Sequence, residues 1–180
     1  MQIDFFDFIR SLNLQLANYK LKDEQFDYIS PIHDLQHTYR VMMNVLRLGH
    51  LLNDKENTKL AFAAAYIHDM ARRGDDEEPL HGMRAAEKKI KYLPAFSKEE
   101  LKKIQAAAAL HCKKDYTMNG EIPAMILRDA DLLDRFRLNK LERYHYLFKE
   151  SLLLVEFAQK LINEELTNDV FCNLISRHKE

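Results

Sequence analysis

The chain has 180 residues, of which 47% are hydrophobic and 31% are charged, a composition typical of a soluble protein with a substantial core. Its formal net charge of −1 argues against an extended nucleic-acid surface, which needs a clearly basic face. A local basic pocket for one small phosphorylated molecule stays compatible with that balance. The two cysteines, Cys112 and Cys172, form no CxxC pair, which argues against a disulfide framework and fits a reducing compartment.

Neither a leader nor a membrane span is expected from the sequence. The N-terminal region carries Asp4 and Asp7, where a signal peptide needs basic residues. The longest apolar run, residues 60–67, is far too short to cross a bilayer. We therefore expect a cytoplasmic protein without membrane contact.

The first half of the chain is predicted to form three helices. Phe5, Phe8 and Leu12 recur at helical spacing and indicate an amphipathic first helix. Ser30 and Pro31 are expected as the N-cap and an early residue of the second helix, which carries His37 and approaches its end at Gly49. A third helix starts at Asn53-Asp54 and is apolar nearly all round over residues 60–67, so it is predicted to be central and buried.

The second half continues the helical pattern. A fourth helix is predicted from His81-Gly82 to Ile90, and a fifth from the capping box of Ser97 and Glu100 to His111. After a turn at residues 118–120, Pro123 begins a helix that carries Asp129 and Asp131, and two or three amphipathic helices follow from about Asn139. Only four glycines and four prolines occur, and alternating strand patterns are absent. We predict an all-α single-domain helical bundle over residues 1–180, with a motif core at about 30–138 and C-terminal helices at 139–178.

His68-Asp69, at the C-terminal end of the buried third helix, is the first candidate for chemistry. Burying an unpaired charge is costly, and a shared cation removes that cost. Imidazole and carboxylate together suit first-row transition metals. The predicted metal ligands are His37, His68, Asp69 and Asp131, and His81 and His111 are candidates for a second metal, with Asp69 as the bridging and catalytic residue.

Basic residues surround these candidates in the sequence. Arginine presents a planar fork that fits phosphate oxygens, so an anionic substrate is indicated. The candidate substrate-binding residues are His33, Arg40, Arg72, Arg73, Arg84 and Lys113. Two alternatives remain open: Arg72 and Arg73 pair only with the acids that follow them, and His81 and His111 contact substrate or a helix dipole instead of a second metal. Cys112 has no third group to orient it beside His111 and is read as structural.

The order of these motifs resembles the HD-domain superfamily of metal-dependent phosphohydrolases, in a branch of small stand-alone HD proteins. The resemblance covers about Ser30 to Leu138. The motifs that carry it are HxxxHxxRV at residues 33–41, HDxxR at 68–72, DxxxxHGxRAA at 76–86 and DADxLD at 129–134. The branch often has glycine where this chain has Asp34. The resemblance implies an all-helical fold, the ligand set given above, and one or two divalent ions of Mn, Fe, Ni, Co or Mg.

The leading expectation is a metal-dependent phosphohydrolase, a phosphomonoesterase or phosphodiesterase that acts on a small phosphate ester, a nucleotide being one candidate, through metal-bound hydroxide. A di-iron oxygenase of the same superfamily and a non-catalytic nucleotide-sensing module are the alternatives. The sequence leaves open the substrate, the metal, the number of ions and whether the chain forms a homo-oligomer.

Overall fold

The computed structural model describes residues 3–76, 78–113, 120–138 and 145–176. Over these ranges all regular secondary structure is helical, so the prediction of an all-α fold is confirmed. Eight α-helices occur in the described residues: α1 (Phe5–Ser11), α2 (Leu35–Leu52), α3 (Lys55–Ile67), α4 (His81–Lys88), α5 (Lys98–Leu110), α6 (Ile122–Asp134), α7 (Val155–Ile162) and α8 (Asn168–Ser176). Short 3-10 helices lie at Leu16–Tyr19, Asp23–Gln25, Ile90–Tyr92, Arg135–Leu138 and Lys149–Leu154.

Helix α3 occupies the centre of the bundle, as its sequence predicts. All its residues from Leu60 to Ile67 are buried, and the helix packs against α2, α5 and α6. Small alanine side chains let these neighbours approach closely on every side. The position fixes the site, because whatever follows Ile67 emerges in the middle of the molecule.

The predicted start of the second helix is wrong. Helix α2 begins at Leu35, and Asp34 is its N-cap, since Asp34 Oδ1 accepts a hydrogen bond from the His37 backbone N–H at 2.7 Å. Ser30 instead caps the preceding turn, where its Oγ accepts from the backbone N–H groups of Ile32 (2.9 Å) and His33 (2.6 Å). As a result His37 lies in the first turn of α2, at the end of the helix that faces the centre.

Other helix ends agree more closely with the sequence. The capping box of Ser97 and Glu100 is confirmed, Asp54 caps α3, and Pro123 lies in the first turn of α6. Helix α1 ends at Ser11, so Leu12, the last of the apolar residues that predicted this helix, is its C-cap. Of the predicted turn at 118–120 only Gly120 is described; 114–119, 139–144 and 177–180 lie outside the described residues.

The described hydrophobic core extends from α1 to α8. Arg47 of α2 links the two ends of the fold, because its guanidinium carbon lies 3.6 Å from the ring centre of Phe5 and 4.8 Å from that of Phe157. On this basis we propose a single domain. None of the described helices combines the length and the apolar character needed to cross a bilayer.

Candidate metal centre

Helix ends bring the predicted ligands together at one place. His37 lies in the first turn of α2, His68 caps the C-terminus of α3, His81 opens α4 and His111 caps the C-terminus of α5. Asp69 follows His68, and α6 supplies Asp131. The four histidines and Asp69 are buried, so their polar atoms must be satisfied by one another or by a bound cation.

Asp69 lies at the middle of the cluster and faces two groups of histidines. Its Oδ2 is 2.7 Å from His33 Nδ1 and 3.4 Å from His37 Nε2. Its Oδ1 is 3.1 Å from His81 Nε2 and 3.8 Å from His111 Nε2. This carboxylate therefore has the position of a bridge between two ligand sets.

Each of the four buried imidazoles is oriented by a hydrogen bond at Nδ1. All four acceptors are oxygens, so Nδ1 carries the proton in each ring and the lone pair of the neutral ring is at Nε2. The Nδ1 acceptors are Asp134 Oδ2 for His37 (2.7 Å), the Ala65 carbonyl for His68 (2.6 Å), the Ala108 carbonyl for His111 (2.7 Å) and the Glu78 carbonyl for His81. Metal-binding histidines are held in this way.

The Nε2 atoms of the four histidines also face one another in two pairs. His37 and His68 are 3.3 Å apart at Nε2, and His81 and His111 are 2.9 Å apart. Asp131 Oδ1 lies 3.4 Å from His37 Nε2. Two lone pairs at such distances repel unless a proton or a cation lies between them. The ligand atoms of His37, His68 and Asp131, and likewise those of His68, Asp69 and His111, lie within 4.8 Å of one another. This donor set fits a divalent transition metal.

Burial and charge give the ligands different protonation states. Burial alone would raise the pKa of Asp69, but the surrounding histidines hold it well below its usual value. Burial also opposes the ionised form of Asp131, and Arg135 and the histidines outweigh it and lower its pKa. Burial lowers the pKa of His68 to about 3. In His37 the hydrogen bonds to Asp134 and Asp69 outweigh burial and raise the pKa to about 9.

Asp134 supports the centre from behind His37, a role that the sequence analysis did not assign. Besides His37, its carboxylate accepts from Arg40 Nε at 2.5 Å and Arg40 Nη2 at 3.3 Å, and Arg137 Nε lies 3.2 Å away. The Arg40 guanidinium thus binds Asp134. This position favours a role in orienting His37 through Asp134 and is less suited to the predicted contact with substrate. The spacing of Asp134 three residues after Asp131 was the available signal.

Two of the predicted substrate-binding residues reach the centre. Arg72 is buried, and its Nη1 lies 3.5 Å from Asp69 Oδ1 and 3.3 Å from His81 Nε2. The same guanidinium donates to the Asp76 carbonyl at 3.1 Å. His33 contacts Asp69 and keeps 19% of its side chain exposed. Both side chains therefore border the candidate metal centre, Arg72 from a buried position and His33 from a partly exposed one.

The other predicted basic contacts point elsewhere. Arg84 donates to the Ala71 carbonyl through Nε (3.2 Å) and Nη2 (3.0 Å) and pairs with Glu78. Lys113 Nζ donates to a backbone carbonyl at 3.1 Å, and the side chain of Arg73 is exposed. Arg135, which the sequence analysis missed, brings Nη2 to 3.5 Å from Asp131 Oδ2 with a side chain 47% exposed.

Gly82 and Cys112 adjoin the pair of His81 and His111. A Cβ at position 82 would overlap the Ala108 carbonyl oxygen and lie 3.0 Å from the His111 ring, so only glycine lets α4 approach α5 this closely. A ligand atom of each histidine and Cys112 Sγ lie within 4.8 Å of one another. The interpretation of Cys112 as purely structural does not account for the position of its thiol beside these two histidines.

Comparison with known proteins gives one match. A family model described as HD domain matches residues 34–135, which is more than half of the chain. No curated protein and no solved structure matches the chain significantly.

Proposed function

Since this chain belongs to the HD domain family, we propose that it is a metal-dependent phosphohydrolase that acts on a small phosphate ester. The observation that carries the proposal is the position of Asp69, whose two oxygens face different pairs of histidine Nε2 atoms. A carboxylate between two such sets is suited to hold two ions at once, and paired ions suit displacement at phosphorus.

The residues divide into two ligand sets. His37, His68 and Asp131 would hold a first ion with Asp69 Oδ2, and His81 and His111 would hold a second with Asp69 Oδ1. When bound, such ions activate water and neutralise charge on the phosphate oxygens. A first ion alone is compatible with the same proposal.

The chain itself supplies orientation and positive charge. Arg72 would place its guanidinium against phosphate oxygens from beside Asp69, and the partly exposed Arg135 would do so from beside Asp131. His33 lies at the exposed edge of the cluster and is placed to exchange a proton with the leaving-group oxygen. Asp134 and Arg40 hold His37 in place.

Metal analysis and phosphatase assays on the same preparation test the proposal. Loaded with Mn²⁺, Co²⁺ or Ni²⁺, the protein should hydrolyse generic phosphomonoesters. His37→Gln should lose bound metal and activity together. His50→Gln is the matched control on α2, because His50 Nε2 contacts the Ile3 carbonyl at 2.7 Å, away from the centre. Equal turnover by wild type and Asp69→Asn, or no turnover with any metal, would refute the hydrolase assignment.

The pairing of His81 with His111 also suits a di-iron oxygenase, because it adds a second nitrogen-rich set across one carboxylate. Two irons after anaerobic purification, with oxygen-dependent loss of substrate, would favour that chemistry. Phosphatase activity restored by metal without oxygen would favour hydrolysis. Stabilisation by a nucleotide without any product would instead indicate a sensing module.

A further inference from the structure

A cavity of about 240 Å³ lies directly beside the candidate metal centre. It is formed by the segment that precedes α2 and by the first turn of that helix. His33 lines it, and His33 Nδ1 is 2.7 Å from Asp69 Oδ2. His33 therefore borders both the cavity and the central carboxylate, so the group attached to a phosphate at the centre is placed on the side of the cavity.

The outer wall of the cavity is fixed to the chain around Asp69. The backbone N–H of Asp27 donates to the Met70 carbonyl at 2.9 Å. The Tyr28 hydroxyl donates to Asp75 Oδ2 at 3.3 Å, and Ser30 Oγ donates to the same carboxylate. The cavity is therefore preformed, which lowers the ordering cost of binding.

The lining combines aromatic and aliphatic surface with negative charge. Phe26, Tyr28 and Ile29 supply apolar surface, and Asp23 and Asp34 supply two carboxylates. The lining residues of this described segment include neither lysine nor arginine. The field of Asp75 adds to the negative potential at the rim, since it raises the pKa of the Tyr28 hydroxyl.

Asp34 also prevents the end of α2 from attracting a phosphate. Its Oδ1 accepts from the His37 N–H at 2.7 Å, and its charge occupies the position that an anion would take at a helix N-terminus. A phosphate group therefore belongs at the metal centre, and the cavity is suited to the part of the substrate that carries no negative charge.

We propose that the cavity binds the ammonium-bearing leaving group of a small amino-alcohol phosphate. Carboxylates attract an ammonium group, and aromatic lining residues such as Phe26 and Tyr28 suit a methylated one. The inference rests on the proposed hydrolase function. In the reaction, water forms a new P–O bond, the P–O bond to the amino alcohol breaks, and a proton passes to the departing oxygen. The products are inorganic phosphate and the free amino alcohol.

The size of the cavity agrees with a small leaving group. Pockets for drug-sized ligands span about 300–1,000 Å³, and this one is about 240 Å³. A trimethylammonium group on a two-carbon stem fits that space better than a complete nucleoside does.

A matched pair of substrates tests the charge requirement. Phosphocholine and its neutral carbon analogue, 3,3-dimethylbutyl phosphate, have the same shape and differ by one positive charge. Wild type should prefer phosphocholine by about tenfold or more in kcat/KM. Asp23→Asn and Asp34→Asn should each reduce that ratio by about threefold to tenfold.

The variants are chosen to keep the fold intact. Asparagine is as good an N-cap as aspartate, so Asp34→Asn preserves the start of α2, and Asp23 is exposed. Glu24→Gln is the control, because Glu24 is the exposed neighbour of Asp23 and does not line the cavity. It should leave the ratio of the two substrates unchanged.

Binding of free choline separates this inference from the hydrolase proposal. Choline chloride should raise the Tm of wild type and of Glu24→Gln above the value in equimolar NaCl, and should do so less in Asp23→Asn. Asp23-dependent stabilisation without turnover of any ester would support the cavity and refute the hydrolase. Turnover of both esters at equal kcat/KM, or the same ratio in Asp23→Asn and Glu24→Gln, would overturn the inference and leave the hydrolase proposal intact.

Discussion

Replacing Asp134 with asparagine should affect metal binding in two opposing ways. The Asp134 carboxylate accepts from His37 Nδ1 at 2.7 Å and contributes to raising the pKa of His37 to about 9. A more basic imidazole binds metal more strongly, but below its pKa a proton competes for the same Nε2. In the ligand set of His37, His68, Asp69 and Asp131, the other three have lowered pKa values and are already deprotonated at neutral pH.

The magnitudes follow from these values. At pH 7, a His37 pKa of about 9 should weaken wild-type metal binding by about a hundredfold through proton competition. In Asp134→Asn that competition falls, while loss of the charged acceptor behind a ligand weakens affinity by about 10- to 100-fold. The two effects should nearly cancel at pH 7. At about pH 9.5, where His37 is neutral in both proteins, the variant should bind about 10- to 100-fold more weakly.

Stability provides a second readout of the same substitution. Asp134→Asn leaves the buried Arg40 guanidinium without its carboxylate, so the free energy of unfolding of the chelator-treated protein should fall by about 3–5 kcal/mol. Asp129→Asn is the matched control on α6. Asp129 is also buried, but it accepts from the backbone N–H groups of Leu147 (3.0 Å) and Phe148 (2.9 Å). It should therefore lower stability without changing the pH dependence of metal binding.

Isothermal titration calorimetry with Mn²⁺ or Co²⁺ in buffers of different ionisation enthalpy counts the protons released. Wild type should release about one proton per first ion at pH 7, and Asp134→Asn should release markedly less. The reasoning is refuted if wild type releases none, or if the affinities of wild type and Asp134→Asn rise with pH at the same slope between about pH 7 and 9.

Three further outcomes are expected. Gly82→Ala should reduce the number of bound ions from two to one, measured by metal analysis, because the added methyl group displaces α4 from α5; Gly74→Ala is the control, since its Cβ would meet nothing within 4 Å. Arg72→Ala should lower kcat by about 100-fold or more at unchanged metal content, and an unchanged kcat would contradict its phosphate contact. Chelator-treated protein should be most stable near pH 6.5. Above this pH, the raised pKa of His37, about 9, makes the free energy of unfolding fall as the pH rises. Below it, the lowered pKa of His68, about 3, makes the free energy of unfolding fall as the pH falls, and each effect is at most about 1.4 kcal/mol per pH unit. Urea titrations at several pH values measure this dependence, and a stability maximum near pH 9 would contradict it.

The sequence was most informative where a single physical requirement decides the structure. An apolar helix over residues 60–67 has to be surrounded by other helices, and this requirement alone predicts that His68-Asp69 lies at the centre. The local sequence does not determine the start of α2, because Ser30 and Asp34 are both good N-caps. The choice depends on Asp75, 45 residues away along the chain, which accepts the Ser30 hydroxyl, and local patterns carry no record of such a partner.

The sequence does not predict the direction in which a long side chain extends. Arg40 and Arg84 lie near the predicted ligands in the sequence. In the structure, however, the Arg40 guanidinium donates to Asp134 and the Arg84 guanidinium donates to the Ala71 carbonyl, and both acceptors are brought close only by the fold. Asp134 itself was visible three residues after Asp131. Its role emerges only when α6 is placed against α2, since a spacing of three residues does not say which neighbouring helix a carboxylate faces.

One shared carboxylate between two histidine sets has a consequence for how the protein fills with metal. In the proposed two-ion centre, the first ion would hold the Asp69 carboxylate in place, so the second ion would meet a ligand whose conformational entropy has already been lost. Two dications held by one carboxylate also repel each other. Occupancy of the two proposed positions would therefore be interdependent, and titration of the protein with metal should deviate from two independent isotherms.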